Sequence, residues 1–246
     1  MNLQHHADEI NRVVEAWHTY SDAKQRSVPN DAASRFREYF PRFTMRGFTT
    51  ELRSFMRRDR TDQMHALGGY FQALGVTEGS PQPQLSPLVR FYMRIVSGEI
   101  ELMVRMAVLF VDPSERREDR YGAITAHGWR FESADIPGGE MGDGTGDGFH
   151  HYPHVQPINA WEKKGKGLFP VEWTDPIAGA EALVAPDWNE ARPAIPLRCS
   201  RPAGVVIAAM TALYGSNTTH RILETTARDK LRQELEEVTG LPQLRA

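Results

Sequence analysis

The sequence is poor in cysteine and has no long apolar run. Cys199 is the one cysteine in 246 residues, so no disulfide can form within the chain, and a reducing compartment is the simpler expectation. The N-terminal residues are polar and lack the apolar core of a signal peptide. The most apolar stretch, residues 203–214, is much shorter than the roughly 20 residues that cross a bilayer. These absences predict a cytoplasmic protein without a membrane partner.

The common motifs of nucleotide and cofactor chemistry are also missing. The sequence contains no P-loop phosphate motif, no GxGxxG after a predicted strand, no Gly-x-Ser-x-Gly, and no kinase or zinc-finger pattern. We therefore expect no cofactor and no dedicated metal site, and the motifs do not decide whether the chain is an enzyme. The formal net charge of −3 argues against a generic polyanion binder with a basic surface, but it is compatible with a local basic patch.

The order of the hydrophobic patterns predicts one α+β domain over residues 1–246. A chain of 246 residues, of which 40% are hydrophobic, is long enough to bury a full core. The patterns predict N-terminal helices, a central antiparallel sheet of about four strands and a C-terminal helix pair. Residues 1–80 are predicted to be helical and residues 88–160 to be rich in β-strands. Residues 161–199 are irregular and rich in Pro and Trp, and residues 200–240 are predicted to be helical. The first helix is predicted to begin near Asp8 and to break at residues 29–31, and the second to follow an N-cap at Asn30 or Asp31 and to stop near Pro41. Thr49 or Thr50 caps a third helix that carries Leu52 to Leu74, and two more helices are predicted from Ser200 to Gly215 and from Asn217 to Gly240.

Residues 89–110 carry the clearest structural signal. Apolar residues alternate with polar ones on both sides of Ser97-Gly98, and two alternating runs joined by a two-residue turn with glycine form a β-hairpin. Each residue then faces the one at the same distance from the turn, which fixes the register and leaves one face wholly apolar. Residues 128–133 and 152–158 are the predicted third and fourth strands.

The polar face of the predicted sheet is the first candidate site. The register places Arg90 opposite Arg105, and two like charges in directly opposed positions destabilise a sheet. An acidic group should therefore lie beside them, either Glu132 or a bound phosphate. Such a face suits phosphate or RNA binding, and a solvated face with cross-strand ion pairs is the alternative. The candidate binding residues are Arg90, Arg94, Arg105 and Arg130, with His154 beside them.

A histidine cluster near residue 150 is the second candidate. Neutral imidazoles bind zinc, copper or nickel, but residues three apart on a strand point to opposite faces, so only His150 and His154 would share one. His151 or His154 is equally suited to general acid–base chemistry. Residues 143–148 match the start of a calcium-binding loop, but the twelfth position, which should be glutamate, is His154.

The basic stretch between residues 35 and 60 adds to the nucleic-acid hypothesis, because eight arginines there outnumber three carboxylates. Our leading prediction is a nucleic-acid- or phosphate-associated protein of bacterial type. If it is an enzyme, it cleaves RNA without metal: His151 or His154 moves the proton and an arginine stabilises the developing charge. The first alternative is a non-catalytic scaffold that meets a protein partner through residues 161–196. The second is a metal-dependent hydrolase that uses His150, His151 and His154.

Overall fold

The computed structural model describes residues 3–25, 43–58, 63–73, 84–111, 124–136, 152–158, 161–162, 169–170 and 194–241. Within these ranges the chain forms five helices and eight strands. The helices are α1 (Leu3–Gln25), α2 (Met45–Phe55), α3 (Pro202–Tyr214), α4 (Ser216–Leu223) and α5 (Asp229–Thr239). The strands are β1 (His65–Gln72), β2 (Gln84–Val96), β3 (Glu99–Val111), β4 (Ile124–Glu132), β5 (His154–Ile158), β6 (Trp161–Glu162), β7 (Phe169–Pro170) and β8 (Ile195–Pro196).

Six of these strands form one antiparallel sheet in the order β1-β2-β3-β4-β5-β8. Helices α1 and α3 contact β3, and α2 packs beside β1. The predicted α+β class is therefore confirmed, with two more strands in the sheet than the four expected. In the described part of the chain, every helix is too short or too polar to cross a membrane.

The central hairpin forms as predicted. Strands β2 and β3 pair over thirteen positions, from Gln84 opposite Val111 to Val96 opposite Glu99. Ser97 and Gly98 make the turn with φ of 51° and 81°. Positive φ at both central residues is the geometry of a type I′ turn, whose twist matches that of the strands. The turn therefore sets the register that places Arg90 opposite Arg105.

The apolar face of the sheet carries the core. Trp17 of α1 meets Phe71 of β1 and Phe91 of β2 edge-on, with ring centroids 5.1 and 6.1 Å apart. Phe43 and Phe48 extend this aromatic cluster against the same Phe91 ring. Helix α3 is buried from Ala203 to Met210 beneath the other helices and the sheet. Burial of this apolar surface is the main force that holds the helices on the sheet.

A buried polar cluster joins three helices that are far apart in sequence. The Glu234 carboxylate of α5 accepts hydrogen bonds from the backbone N–H groups of Ser200 (2.7 Å) and Arg201 (3.0 Å), directly before α3. The Arg201 guanidinium in turn donates to Glu9 of α1 at 2.6 Å. A Cβ added to Gly204 would overlap Glu234 Oε1. The cluster thus leaves no room for a side chain at Gly204, and it satisfies the N–H groups of the two residues directly before α3.

The region between residues 51 and 74 corrects one sequence prediction. Helix α2 ends at Phe55, and residues 65–72 form strand β1 rather than the end of a helix. Leu67, Gly69 and Phe71 are buried in alternation, and Gly68 has a φ of 66° at an irregularity in the pairing with β2. Two adjacent glycines weaken a helix, whereas a positive φ fits a strand bulge. The predicted helical segment 1–80 is therefore wrong in this part.

The ends of the other elements also differ from the predictions. Strand β4 begins at Ile124, earlier than residue 128, and β5 begins at His154 rather than at residue 152. The predicted final helix divides into α4 and α5 around residues 224–228, so three helices, and not a pair, follow residue 200. The buried stripe continues across the break through Leu223, Ala227 and Leu231. The predictions for residues 31–40, 143–148 and most of 161–193, and those for His150 and His151, lie outside the described residues.

Candidate functional site

Three arginines lie side by side on the polar face of the sheet. Arg90 of β2 is opposite Arg105 of β3, and Arg105 is opposite Arg130 of β4. Arg130 is opposite Gln156 of β5, whose Oε1 accepts from the Nε and Nη2 of Arg130 at 3.0 and 2.5 Å. Because neighbouring strands are about 4.8 Å apart, adjacent side chains in this arginine row are within reach of one small anion.

Arg90 is held by aromatic side chains. Its Nη1 donates to the Tyr70 hydroxyl at 2.7 Å, and its guanidinium carbon lies 4.7 Å from the centroid of the Tyr70 ring. The same carbon is 5.3 Å from the centroid of Tyr92. Within the described ranges, no carboxylate forms an ion pair with Arg90, and its buried Nε has no hydrogen-bond partner. The guanidinium is therefore oriented without being neutralised.

Tyr92 also contacts the second arginine of the row. The guanidinium carbon of Arg105 is 5.0 Å from the centroid of the Tyr92 ring, and its Nε lies 3.2 Å from Met103 Sδ. An aromatic ring attracts a cation through its quadrupole, with about 0.5–1 kcal/mol at exposed sites and more where water is excluded. One tyrosine thus offsets part of the repulsion between two opposed arginines. From the sequence, an acidic side chain or a bound phosphate is the group expected to reduce this repulsion.

The tyrosine that orients Arg90 remains uncharged at neutral pH. Burial raises the pKa of Tyr70 above its ordinary value of 10.0, and the nearby Arg90 charge opposes this shift without cancelling it. A neutral phenol accepts a hydrogen bond from the guanidinium without neutralising its charge. Tyr70 therefore fixes the position of Arg90 while leaving its positive charge available.

Glu132 and His154 form a buried pair next to the arginine row. Glu132 Oε2 lies 3.1 Å from Arg130 Nε and 3.0 Å from His154 Nε2, and the two side chains of the pair are almost fully buried. Burial raises the pKa of Glu132, but the contact with His154 and the charges of Arg130 and Arg105 outweigh it, so the net pKa is lowered. Glu132 is therefore ionised at neutral pH. It lies beside Arg130 and opposite Met103, and not between Arg90 and Arg105.

His154 is in the interior of the protein. Its side chain is 1% exposed, and its Nδ1 lies 3.2 Å from the Tyr152 carbonyl oxygen. Both ring nitrogens thus lie close to oxygen atoms, one of the Glu132 carboxylate and one of the backbone. This position gives His154 a clear role in joining β5 to β4.

Arg94 lies in a third polar row nearer to the turn. It forms a close, buried ion pair with Glu101, directly opposite on β3. Glu101 also accepts a hydrogen bond from the backbone N–H of Ile136 at 2.7 Å, so the segment after β4 covers this pair. The carboxylate partner neutralises Arg94, which distinguishes it from Arg90 although both were predicted to bind phosphate.

The structure thus brings Arg90, Arg105 and Arg130 together and places His154 one row away. Tyr70 and Gln156 belong to the same group of side chains but were absent from the sequence prediction of binding residues. The sequence does not reveal Tyr70, because the pattern of apolar residues predicts a helix in its segment. The pair Gly68-Gly69 was the signal against that helix.

The described part of the chain shows neither a cluster of metal ligands nor a reactive thiol. No group of three or more His, Cys, Asp or Glu side chains there has the geometry to hold a metal ion. Burial, with the nearby charges of Glu234 and Glu237, raises the pKa of Cys199 to about 12. A thiol with this pKa is a poor nucleophile at neutral pH.

Searches with the sequence and the structure found no matching protein-family model, no matching curated protein and no matching solved structure.

Proposed function

We propose that this protein binds a phosphate-bearing ligand at the arginine row of Arg90, Arg105 and Arg130, with Arg90 and Arg105 as the main anion-binding groups because Arg130 is already paired with Glu132. One observation carries the proposal: Arg90 is held in place by Tyr70 and Tyr92, with no carboxylate in ion-pair contact among the described residues. A structural arginine is ordinarily held by an acid, as Arg94 is by Glu101. An arginine that is oriented but not neutralised is suited to an anion.

The surroundings favour a phosphate oxygen over other acceptors. A guanidinium presents its N–H donors in a planar fork that matches phosphate and carboxylate groups. The three arginines are half-buried, and charge interactions in such a position are stronger than in bulk water. The net charge of −3 makes a phosphate group bound at one site more reasonable than a long nucleic acid bound across the surface.

Binding, and not RNA cleavage, is the activity that we propose. A proton-transferring group must come within hydrogen-bond distance of the reacting atom, directly or through one water. His154 is buried against Glu132 and Tyr152, and His151 lies outside the described residues. RNA cleavage therefore stays a prediction from the sequence. Incubation of the protein with single-stranded RNA in the presence of EDTA, followed by gel analysis, would test it.

The experiment for the proposed function is calorimetric titration with inorganic phosphate and pyrophosphate at low and high salt. We expect measurable binding that weakens as the salt concentration rises. Arg90→Met keeps much of the length of the side chain and removes its charge, so it should weaken binding by roughly 10- to 100-fold, the value of a charge-assisted hydrogen bond of about 1.5–3 kcal/mol. Arg232→Met, at an exposed position of α5, is the matched control and should bind like the wild type.

Two results would contradict the proposal. One is the absence of phosphate and pyrophosphate binding by the folded wild-type protein. The other is equal loss of affinity in Arg90→Met and Arg232→Met, which would show an effect of total charge and not of this site. A cytoplasmic location and a protein partner remain further proposals, tested by fractionation of cells and by cross-linking with mass spectrometry.

A further inference from the structure

We propose that the phosphate-bearing ligand is a mononucleotide, whose base stacks on the planar side chains next to the arginine row. This inference rests on the proposed function, because the phosphate must first bind to the arginines. It adds the requirement for an aromatic ring in the ligand, which inorganic phosphate binding does not imply.

The first step of the argument is the arrangement of planar groups. Tyr70, Arg90, Tyr92 and Arg105 come from three neighbouring strands, and each guanidinium lies 4.7–5.3 Å from the centroid of at least one tyrosine ring. We call these four side chains the planar ladder. Tyrosine rings and arginine planes are the groups on which proteins stack unpaired nucleobases.

The second step is the position of the ladder relative to the phosphate-binding groups. Arg90 and Arg105 belong to both the ladder and the arginine row, and Arg130 is the neighbour of Arg105 on β4. A phosphate held by these guanidiniums therefore places the rest of its molecule beside Tyr92 or Tyr70. An alkyl chain would gain no stacking from these planes, whereas a purine ring would gain stacking over its whole face.

The third step concerns the size of the accessible area. All four ladder residues are partly exposed, whereas Glu132, His154 and Gln156 in the adjoining positions are each 4% exposed or less. The buried Arg94–Glu101 pair closes the face in the direction of the turn. Among the described residues, buried side chains therefore bound the partly exposed area on the β5 side and on the side of the turn, which suits one nucleotide better than a strand that crosses the sheet.

The test is a set of calorimetric titrations with four probes: inorganic phosphate, ribose 5-phosphate, adenosine 5′-monophosphate and a six-nucleotide oligoadenylate. The proposal requires adenosine 5′-monophosphate to bind at least about tenfold more tightly than ribose 5-phosphate, as expected for one stacked base. The oligoadenylate should bind no more tightly than the mononucleotide after correction for its number of nucleotides.

The outcomes separate this inference from the proposed function. If ribose 5-phosphate and inorganic phosphate bind as tightly as the mononucleotide, the site binds phosphate and the inference is overturned. If none of the four probes binds, the proposed function fails as well. If the oligoadenylate binds far more tightly per nucleotide than the mononucleotide, the ligand is a nucleic-acid strand and the mononucleotide assignment is wrong.

Two substitutions of Tyr92 provide a second readout. Tyr92→Leu removes the ring and should reduce the preference for adenosine 5′-monophosphate over ribose 5-phosphate to less than about threefold. Tyr92→Phe keeps the ring and should preserve the preference. Circular dichroism establishes that each variant is folded, and Tyr92→Phe serves as the reference if the leucine variant is unstable. An unchanged preference in a folded leucine variant would overturn the role of the planar ladder.

Discussion

Replacement of Glu132 by glutamine tests the charge arrangement next to the arginine row. The substitution keeps the shape of the side chain and removes the negative charge that lies 3.1 Å from Arg130 Nε and 3.0 Å from His154 Nε2. Removal of one member of a buried ion pair costs about 3–5 kcal/mol, because the remaining charge stays buried. Arg130 is 30% exposed and Gln156 also binds it, so the lower end of this range applies. We expect a loss of about 3 kcal/mol at pH 7.

Chemical denaturation at several pH values is the appropriate assay. The pKa of Glu132 is lowered in the folded protein from the ordinary value of 4.5, so its contribution is fully present above pH 4.5 and is lost as the pH falls through the folded-state pKa. Wild type should therefore lose more stability than Glu132→Gln between pH 5 and the acid limit. At pH 7 the variant should melt about 6–12 °C below wild type.

Glu99→Gln, at an exposed position next to the turn, is the control for the loss of one negative charge. It should change the free energy of unfolding by less than about 0.5 kcal/mol. A loss below 1 kcal/mol in Glu132→Gln, or identical acid dependence in variant and wild type, would refute the ion-pair reasoning. Either result would mean that the Glu132 carboxylate does not stabilise the folded protein through its negative charge.

Two further predictions concern the helices. Gly204→Ala should lower the free energy of unfolding by about 1–3 kcal/mol, because the new Cβ would overlap Glu234 Oε1 and lie 2.6 Å from Cys199 Cβ; thermal melting that matches wild type would contradict the crowding at this position. Cys199, with a pKa raised to about 12, should react with a thiol reagent at pH 8 far more slowly in the native protein than in denaturant. Comparable rates in the two states would show that the thiol is neither buried nor held neutral.

The part of the site on the central hairpin could be predicted because the residues that determine its strand pairing are close together in the sequence. The alternation in β2 and β3 and the turn at Ser97-Gly98 are consecutive in sequence, and they fix every pair between the two strands. The prediction that Arg90 faces Arg105 is confirmed for that reason. The prediction that Arg130 lies on the same face is also confirmed, because the period of a strand determines the face of each residue.

The role of Tyr70 could not be predicted from the same information. Its strand pairs with β2 through an irregularity at Gly68, so no simple register connects the two segments. Its hydrogen bond to Arg90 spans 20 residues and depends on how α2 and β1 pack. The burial of His154 likewise depends on tertiary contacts, such as that between Glu132 and His154 on neighbouring strands. Alternation specifies the face of a residue and not what covers that face.

The contact of Glu234 with Ser200 and Arg201 has a consequence for the order in which the protein assembles. The donors and the acceptor are 34 and 33 residues apart, so the hydrogen bonds directly before α3 cannot form until α5 has been synthesised. A nascent chain that ends before residue 229 would leave the apolar helix α3 without α5 beside it, and the two N–H groups before α3 would bond to water. Synthesis of α5 is therefore the step at which we expect residues 200–239 to become resistant to proteases.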